Sequence, residues 1–196
     1  MFLLGENFWS ERYKSGLIGW DIGSPSFPLV QYLDQIENKS IRVLIPGAGN
    51  AYEADYAFRL GFSNIHILDI SAEPLNQFRL KYPDFPKENL HHQNFFNHCS
   101  SYDLILEQTF FCALDPSLRE KYSQKVLELL NPEGKLVGVL FDRTFDFQGP
   151  PFGGSKDEYL TYFVEKFEIE IFEPCYNSIP ERFGSELFIK LKKLKT

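Results

Sequence analysis

The sequence has little cysteine, fewer positive than negative charges and no long apolar run. Each of these deficits argues against a class of protein. The three cysteines stand at irregular spacing and match neither a disulfide framework nor a zinc site, so we expect a reducing cytoplasm. Twenty Lys and Arg against 27 Asp and Glu give a net charge of −7, which disfavours nucleic acid because its phosphates would be repelled. The opening M-F-L-L-G-E-N is too short and too soon acidic for a signal peptide, and no run reaches the length of a membrane span.

Residue patterns typical of acid–base, nucleophilic or metal catalysis are also missing. The sequence has no H-x-x-x-H cluster, no nucleophile elbow and no obvious acid/base pair. One histidine falls within a predicted buried strand and three lie in or beside a short strand, so we expect all of them to be structural or solvated: His66, His91, His92 and His98. Cys112 is expected to be a buried, unreactive thiol. We therefore expect neither a catalytic side chain nor a metal.

The chain is rich in alternating strand and helix patterns. At 196 residues, with 43% apolar content, 20 Phe and 10 Tyr, it can fill the core of a full sheet. Helices are predicted at 6–13, 28–36, 53–60, 72–82, 116–130 and 156–167, and strands at 64–69, 90–93, 102–107, 168–173 and 186–194, with two more beginning at Ile41 and after Gly134. This order predicts an α/β fold, a doubly wound and mostly parallel seven-stranded sheet with helices on both faces and a C-terminal antiparallel hairpin. We expect one domain over 1–196, with 1–40 as an N-terminal aromatic lid and 41–196 as the core.

The stretch from Ile41 to Tyr52, I-R-V-L-I-P-G-A-G-N-A-Y, has the pattern of a nucleotide-binding strand, turn and helix. Gly47 and Gly49 would let the backbone turn sharply and approach a ligand. Asp69 follows Gly49 by twenty residues and ends the second strand, where a carboxylate can accept hydrogen bonds from a ribose diol. Because Tyr52 replaces the third glycine of G-x-G-x-x-G, a cofactor with a ribose but no phosphate fits better than a dinucleotide.

Aromatic and polar residues near this turn allow two interpretations each. Both tryptophans, Trp9 and Trp20, precede the first strand, Trp20 among glycines and prolines that forbid regular structure. They are either core anchors of a docked segment or aromatic faces that close over a cationic ligand. Asn94 and Phe95 follow the third strand and either contact an adenine or cap a turn and fill the core. Glu107 ends the continuously apolar fourth strand and so lies at the carboxyl edge, where open α/β sheets bind ligands.

Segments spread along the whole chain carry a family resemblance. In order, they are F-W-S-E-R-Y-K-S-G-L-I-G-W-D-I-G-S-P, V-L-I-P-G-A-G, L-D-I-S, Y-D-L-I-L-E-Q-T-F-F-C-A-L-D-P, L-L-N-P-E-G-K-L and G-P-P-F. Together they resemble the thiopurine S-methyltransferase family, and within it they are most similar to the halide and thiol methyltransferase branch. The resemblance implies a Rossmann-like class I methyltransferase fold that binds S-adenosylmethionine.

The same resemblance implies which residues hold the cofactor. For the methionine part of the cofactor it implies Gly47, Ala48 and Gly49. For the ribose it implies Asp69, and for the adenine it implies Ile70 flanked by Asn94 and Phe95. Trp9, Tyr13 and Trp20 are implied to fold over the cofactor. Glu107 is implied to lie near its amino group.

The resemblance further implies methyl transfer to a small soft nucleophile, which could be a thiol, hydrosulfide, a halide or a thiopurine-like compound. The residues expected around this acceptor are Trp20, Asp21, Gln108, Phe110 and Phe111. Arg143 and Phe152, which follow the fifth strand, either shape the mouth of the substrate site or lie in surface loops. Gln108 stands where animal thiopurine enzymes carry arginine and the halide branch usually tyrosine, so the substrate itself is not carried over. Asp21 would either orient the lid or face the substrate.

Two other functions stay open at this point. The acceptor atom could be an oxygen or nitrogen of a metabolite, which would require a base that the sequence does not show. Alternatively, the chain could bind S-adenosylmethionine without catalysis. In each case we expect a small-molecule partner, neither nucleic acid nor membrane, and a monomer, since no exposed apolar helix indicates an interface.

Overall fold

The computed structural model describes residues 4–194 of the chain. Its α-helices are α1 (Glu6–Ser15), α2 (Phe27–Asp34), α3 (Tyr52–Arg59), α4 (Ala72–Lys81), α5 (Arg119–Leu129) and α6 (Lys156–Phe163). Its strands are β1 (Arg42–Pro46), β2 (Asn64–Asp69), β3 (Leu90–His92), β4 (Tyr102–Gln108), β5 (Leu130–Phe141), β6 (Phe167–Pro174) and β7 (Glu186–Lys193). None of the helices between Leu4 and Leu194 combines the length and the apolar character that a bilayer crossing requires.

The strands form one mixed sheet in the order β3-β2-β1-β4-β5-β7-β6. The strands from β3 to β5 in this order run parallel to one another, whereas β7 pairs antiparallel with both β5 and β6. The chain winds outward in opposite directions from β1 and β4, so their carboxyl ends open a crevice of the kind in which doubly wound sheets bind ligands. The predicted fold, including the C-terminal hairpin, is confirmed.

Apolar side chains cover both faces of the sheet because the central strands are apolar at nearly every position. Along β4, Leu104 and Leu106 face a core cluster shared with α2, α3 and α4, while Ile105 faces a second cluster shared with α5 and α6. Burial on both faces fixes the strands and leaves their carboxyl ends to carry polar groups.

The helix predicted at 156–167 is wrong at its C-terminal end. The helix ends at Phe163, and Phe167 instead begins β6, where it pairs with Lys193 of β7. Phe163 and Phe167 are four residues apart, a spacing that imitates one face of a helix. Both side chains fill the same core cluster, but they reach it from different elements.

The helix predicted at 116–130 is shorter at both ends. Pro116–Leu118 forms a 3-10 turn before α5, and Leu130 is the first residue of β5, paired with Tyr102. The turn predicted around Gly134 therefore interrupts β5 as a bulge, since the pairing with β4 resumes after it.

Candidate functional site

A cavity of about 840 Å³ opens at the carboxyl edge of β1, β2 and β4, between the sheet and the segment that begins with α1. Its volume falls in the range of about 300–1,000 Å³ that is typical of small-molecule sites. The cavity brings together most of the predicted site residues: Trp9, Tyr13, Trp20, Asp21, Gly47, Ala48, Gly49, Asp69, Ile70, Asn94, Phe95, Gln108, Phe110 and Arg143.

The glycine turn after β1 adopts the left-handed backbone that its sequence predicts. Gly47 has φ 58° and Gly49 has φ 53°. A Cβ atom at Gly47 would overlap the ring of Phe110, and one at Gly49 would lie 2.9 Å from the Tyr13 hydroxyl. The turn therefore needs glycine for two reasons, the φ angles and the aromatic side chains that pack onto it.

Asp69 is tied to this turn by its carboxylate. Oδ2 accepts the Gly49 N–H at 3.0 Å, and Oδ1 accepts the Ser71 N–H at 2.8 Å. The residue is 5% exposed, and burial raises the pKa of its carboxyl although both backbone donors act against the rise. The carboxylate is thus oriented beside the turn, and its contact with a ribose stays a prediction.

The lid, defined here as α1 with residues 16–24, closes the cavity with aromatic rings. Trp20 packs edge-on against Trp9 and Tyr13, with ring centroids 5.4 and 5.7 Å apart. Both tryptophans are half-buried, line the cavity and lie outside the two core clusters. This position favours cavity walls over core anchors as the role of the two tryptophans.

Asp21 connects the lid to the glycine turn. One oxygen of its carboxylate accepts the amide of the Asn50 side chain and, at 3.2 Å, the hydroxyl of Tyr52. The other oxygen accepts the Gly23 N–H at 2.6 Å, which shapes the lid loop itself. These contacts support the first of the two roles considered for Asp21, orientation of the lid.

The part of the cavity walled by residues after β4 and β5 is called here the acceptor end, and it is mostly aromatic. Phe110 follows β4, Phe141 ends β5, and the ring of Phe145 lies 4.9 Å from the guanidinium carbon of Arg143. Gln108 also lines this end, and its Oε1 atom is buried without a hydrogen-bond partner. An acceptor in this space would meet aromatic carbon, the guanidinium of Arg143 and the amide of Gln108.

Arg182, which the sequence reasoning missed, closes the acceptor end from the loop before β7. Its guanidinium donates to the Trp20 carbonyl at 2.9 Å, lies 3.4 Å from the Glu186 carboxylate and sits 5.4 Å from the Phe141 ring centroid. A single arginine in a loop has no local pattern that would mark it. Other cavity residues that were not predicted include Arg12, Asn50, Tyr52, Phe96, Lys121 and Phe145.

Three predicted residues, Glu107, Phe111 and Phe152, do not reach the cavity wall. Glu107 is completely buried, and its carboxylate accepts the Phe111 N–H at 2.8 Å and the Tyr122 hydroxyl at 2.6 Å. Burial raises its pKa to about 7. Phe152 donates its N–H to the Cys112 carbonyl at 2.6 Å. Glu107 and Phe111 thus lie behind the wall, whereas Phe152 is half-buried and contacts it through this backbone hydrogen bond.

The histidines lie away from the cavity, as expected for structural residues. Nδ1 of His66 is 3.0 Å from Nε2 of His91, and Nε2 of His98 is 2.7 Å from the Tyr102 hydroxyl. Burial lowers the pKa of His66 and His98 to about 4, and the nearby Arg42 cation adds to the effect. Their rings are therefore neutral near pH 7, and no histidine of residues 4–194 lines the cavity.

Cys112 does line the cavity, but its environment is that of an unreactive thiol. Burial raises its pKa, and its Sγ donates to the Thr109 carbonyl at 3.1 Å. Within the part of the chain that the structure describes, no group of three or more His, Cys, Asp or Glu side chains is arranged to hold a metal.

Comparison with known families gives one match that spans almost the whole chain. The thiopurine S-methyltransferase (TPMT) family model matches residues 4–188. The chain is 30% identical over 170 residues to a probable thiol methyltransferase 2 of Arabidopsis thaliana, covering 80% of this chain and 73% of the relative. It is 28% identical over 198 residues to thiocyanate methyltransferase 1 of Brassica oleracea, covering 96% of this chain and 86% of the relative.

The fold also matches a solved structure at low sequence identity. That protein is the 1,6-didemethyltoxoflavin-N1-methyltransferase of Burkholderia thailandensis, solved with 1,6-didemethyltoxoflavin and S-adenosylhomocysteine bound. The TM-score is 0.77 at 15% identity, over 97% of this chain and 87% of that chain. This likeness concerns the arrangement of helices and strands.

Proposed function

The chain belongs to the thiopurine S-methyltransferase family and is an S-adenosylmethionine-dependent methyltransferase, and we propose that its acceptor is a small soft nucleophile. The candidates are a thiol, hydrosulfide, a halide or thiocyanate ion, and a thiopurine-like heterocycle. Two relatives of the chain are named for thiol and thiocyanate methylation, which supports this class of acceptor.

The aromatic acceptor end is the observation that carries the proposal. Phe110, Phe141 and Phe145 present polarisable carbon surfaces to an acceptor, and Arg143 offers a positive charge at their edge. A thiolate, hydrosulfide or halide is already a nucleophile and needs no general base. The lack of a cavity-lining histidine among residues 4–194 fits such an acceptor.

The residues present at the other end of the cavity fit the cofactor. The left-handed glycine turn and the buried, oriented carboxylate of Asp69 suit a ribose-bearing ligand without phosphate. The rings of Trp9, Tyr13 and Trp20 would attract a sulfonium cation through their quadrupoles. When bound, S-adenosylmethionine supplies an electrophilic methyl group that an in-line nucleophile can displace.

The contribution of the protein is then to position the reactants and to exclude water. The lid and the acceptor end surround the space in which the acceptor would lie, and near-attack positioning can supply roughly 7–11 kcal/mol of a barrier. Aromatic walls leave an anionic acceptor poorly hydrated, which favours a reaction in which its charge is neutralised.

A methyl-transfer assay with labelled S-adenosylmethionine tests the proposal. The acceptor panel is iodide, hydrosulfide, thiocyanate, an aryl thiol and a thiopurine, with cofactor binding measured by calorimetry. We expect turnover of at least one acceptor, and Asp69→Ala should weaken cofactor binding by at least about tenfold because the turn loses its carboxylate.

The control is Asp84→Ala, which removes an exposed carboxylate that is not part of the cavity and should leave binding unchanged. Tight cofactor binding by the wild-type protein without turnover of any of the five acceptors would contradict the proposal.

The proposal includes a single domain that acts as a cytoplasmic monomer on small molecules rather than on nucleic acid or membranes. One continuous sheet from β3 to β6 supports the single domain. Cys99, Cys112 and Cys175 are free thiols, which supports a reducing compartment.

A further inference from the structure

Residues 108–114, called here the acceptor wall, all line the cavity except Phe111, which lies in the core behind it. Gln108, Phe110 and Cys112 line the cavity, whereas Phe111 is 1% exposed and packs into the core. Glu107 precedes the acceptor wall at the end of β4 and is completely buried. The shape of the cavity side therefore depends on what holds the core side.

Glu107 holds the core side through two short hydrogen bonds. Its Oε1 accepts the Phe111 N–H at 2.8 Å, and its Oε2 accepts the Tyr122 hydroxyl at 2.6 Å. Hydrogen bonds to an ionised carboxylate are roughly twice as strong as neutral ones. On the adjacent strand, a Cβ at Gly138 would overlap the Cβ and the backbone of Glu107, so glycine is needed there for β5 to pair with β4 beside this residue.

The backbone of the acceptor wall needs such support. Thr109 has a left-handed φ of 61°, which β-branched residues rarely adopt. Directly after it, the ring of Phe110 occupies the space that a Cβ at Gly47 would need, and it packs edge-on against Phe95 at 5.2 Å between centroids. The position of Phe110 therefore affects both the acceptor end and the glycine turn.

We propose that Glu107 is a positioning residue for the methyl acceptor. By accepting the Phe111 amide and the Tyr122 hydroxyl, its carboxylate holds Thr109 and Phe110 in the conformation that shapes the acceptor end. Glu107 does not line the cavity, so it acts through the acceptor wall and not by contact with a reactant. The identity of the acceptor in this inference rests on the proposed function. The effect of Glu107 on the conformation of the acceptor wall does not depend on it.

Glu107 changes its charge within the neutral pH range. Burial raises its pKa to about 7, although its hydrogen-bond donors favour the charged form. The titratable groups that face it are Tyr122 from α5 and Cys112 from the acceptor wall, and burial raises the pKa of both. Gly138 of β5 adds no titratable group. Burial of the charge costs stability of the whole fold, but as long as the side chain stays buried its donors bind the ionised form more strongly. The hydrogen bonds that hold the acceptor wall are therefore charge-assisted above about pH 7 and weaken below it as the carboxyl takes up a proton.

Two variants separate this role from general stability. Glu107→Gln keeps the length of the side chain but removes its charge, and Tyr122→Phe removes one donor. We expect the KM for the acceptor to rise by about tenfold in Glu107→Gln and by a few fold in Tyr122→Phe, with a smaller change in kcat. The matched control is Tyr56→Phe, which removes a hydroxyl that pairs with Asp34 at 2.6 Å outside the cavity and should leave KM unchanged.

The pH dependence of KM gives a second readout. With iodide, which does not titrate, the KM of the wild-type protein should rise as the pH falls from about 8.5 to about 6, because Glu107 becomes protonated. In Glu107→Gln the KM should stay high and independent of pH across the same range. A purely structural role would instead change stability without this difference between the two profiles.

Hydrogen exchange of the backbone amides of residues 109–113 gives a readout that needs no turnover. At one pH above 7, exchange of these amides should be faster in Glu107→Gln and Tyr122→Phe than in the wild-type protein, while the amides of β1 and β2 keep their rates. If no acceptor is methylated but these amides exchange faster, the proposed function fails and the positioning role stands. If acceptors are methylated, and KM and these exchange rates match the wild type in both variants, the positioning role is wrong.

Discussion

At the scale of single residues, the glycine turn shows how the absence of a Cβ atom shapes the cavity. Gly47 has a φ of 58°, and a Cβ atom added there would overlap the ring of Phe110. Gly61 has an even larger φ of 95°, yet nothing lies within 4 Å of a Cβ built there. The two positions therefore separate backbone strain from the loss of space beside the cavity.

Gly47→Ala and Gly61→Ala are expected to differ in both stability and cofactor binding. Gly61→Ala should cost about 1 kcal/mol of the free energy of unfolding, since alanine is strained at positive φ. Gly47→Ala should cost a further 1–3 kcal/mol, roughly the effect of overpacking, because Phe110 must move. Urea unfolding measures the stability of the two variants, and calorimetry with S-adenosylmethionine measures their cofactor binding. Only Gly47→Ala should weaken binding. Equal binding by the two variants would show that the Phe110 contact is unimportant.

At the scale of elements, the lid is the least anchored part of the site. α1 has no buried residue, and its polar contacts with the sheet side include the serine pair Ser10 with Ser71 at 2.8 Å and two exposed ion pairs, Glu6 with His92 and Lys14 with Glu73. The loop after α1 is held to the glycine turn through Asp21. Elements with few buried apolar contacts open at low free energy, so we expect the lid to open before the sheet does.

Asp21→Asn should shift the lid toward an open state, because the charge that holds Asn50 and Tyr52 is lost. Both tryptophans of the protein, Trp9 and Trp20, lie in the lid, so intrinsic tryptophan fluorescence reports on this element. We expect a red-shifted emission in Asp21→Asn that S-adenosylmethionine partly reverses, with a cofactor affinity about three- to tenfold weaker.

Asp34→Asn provides the matched control for the lid experiment. Asp34 also accepts a tyrosine hydroxyl, that of Tyr56 at 2.6 Å, but it joins α2 to α3 outside the cavity. Its variant should keep the wild-type emission. An unshifted emission in Asp21→Asn would mean that Asp21 does not hold the lid.

At the scale of the whole molecule, buried ionisable groups make stability depend on pH in two opposite ways. The pKa of His66 and of His98 is lowered to about 4 by burial, so each favours the folded state while it is neutral. The pKa of Glu107 is raised to about 7 by burial, so this carboxyl favours the folded state while it is protonated. The histidine contribution is lost as the pH falls, and the Glu107 contribution is lost as the pH rises through about 7.

His66 and His98 should therefore lower the free energy of unfolding as the pH falls from about 6.5 toward about 4, because unfolded histidine takes up a proton more readily than these two do in the fold, while Glu107 acts in the opposite direction over the same interval. We expect the histidine contribution to be roughly 1–3 kcal/mol for each residue, measured as the difference in pH dependence between the wild-type protein and a histidine variant by urea unfolding at a series of pH values. His66→Gln should flatten the slope. His92→Gln replaces a half-exposed ring and should leave the slope as it is, and an equal slope in all three proteins would refute the assignment.

Patterns along the chain were sufficient for the order of the elements and for the glycine turn beside the cavity. The alternation of strands and helices, the two glycines after β1 and the spacing to Asp69 are local features, and the backbone expresses them wherever the strand, turn and helix form. The lid tryptophans were also recognisable, because glycines and prolines around Trp20 exclude regular structure.

The acceptor end, in contrast, depends on contacts between segments that lie far apart in sequence. Whether Glu107 and Phe111 face the cavity or the core is decided by the packing of Tyr122 against them from α5, which no spacing along β4 reveals. Arg182 reaches Trp20 across 162 positions of the chain. Phe167 joins β6 and not α6, because its pairing with Lys193 outweighs a helical spacing. Side-chain direction at the end of a strand follows from the elements packed around it, and these meet only in the folded chain.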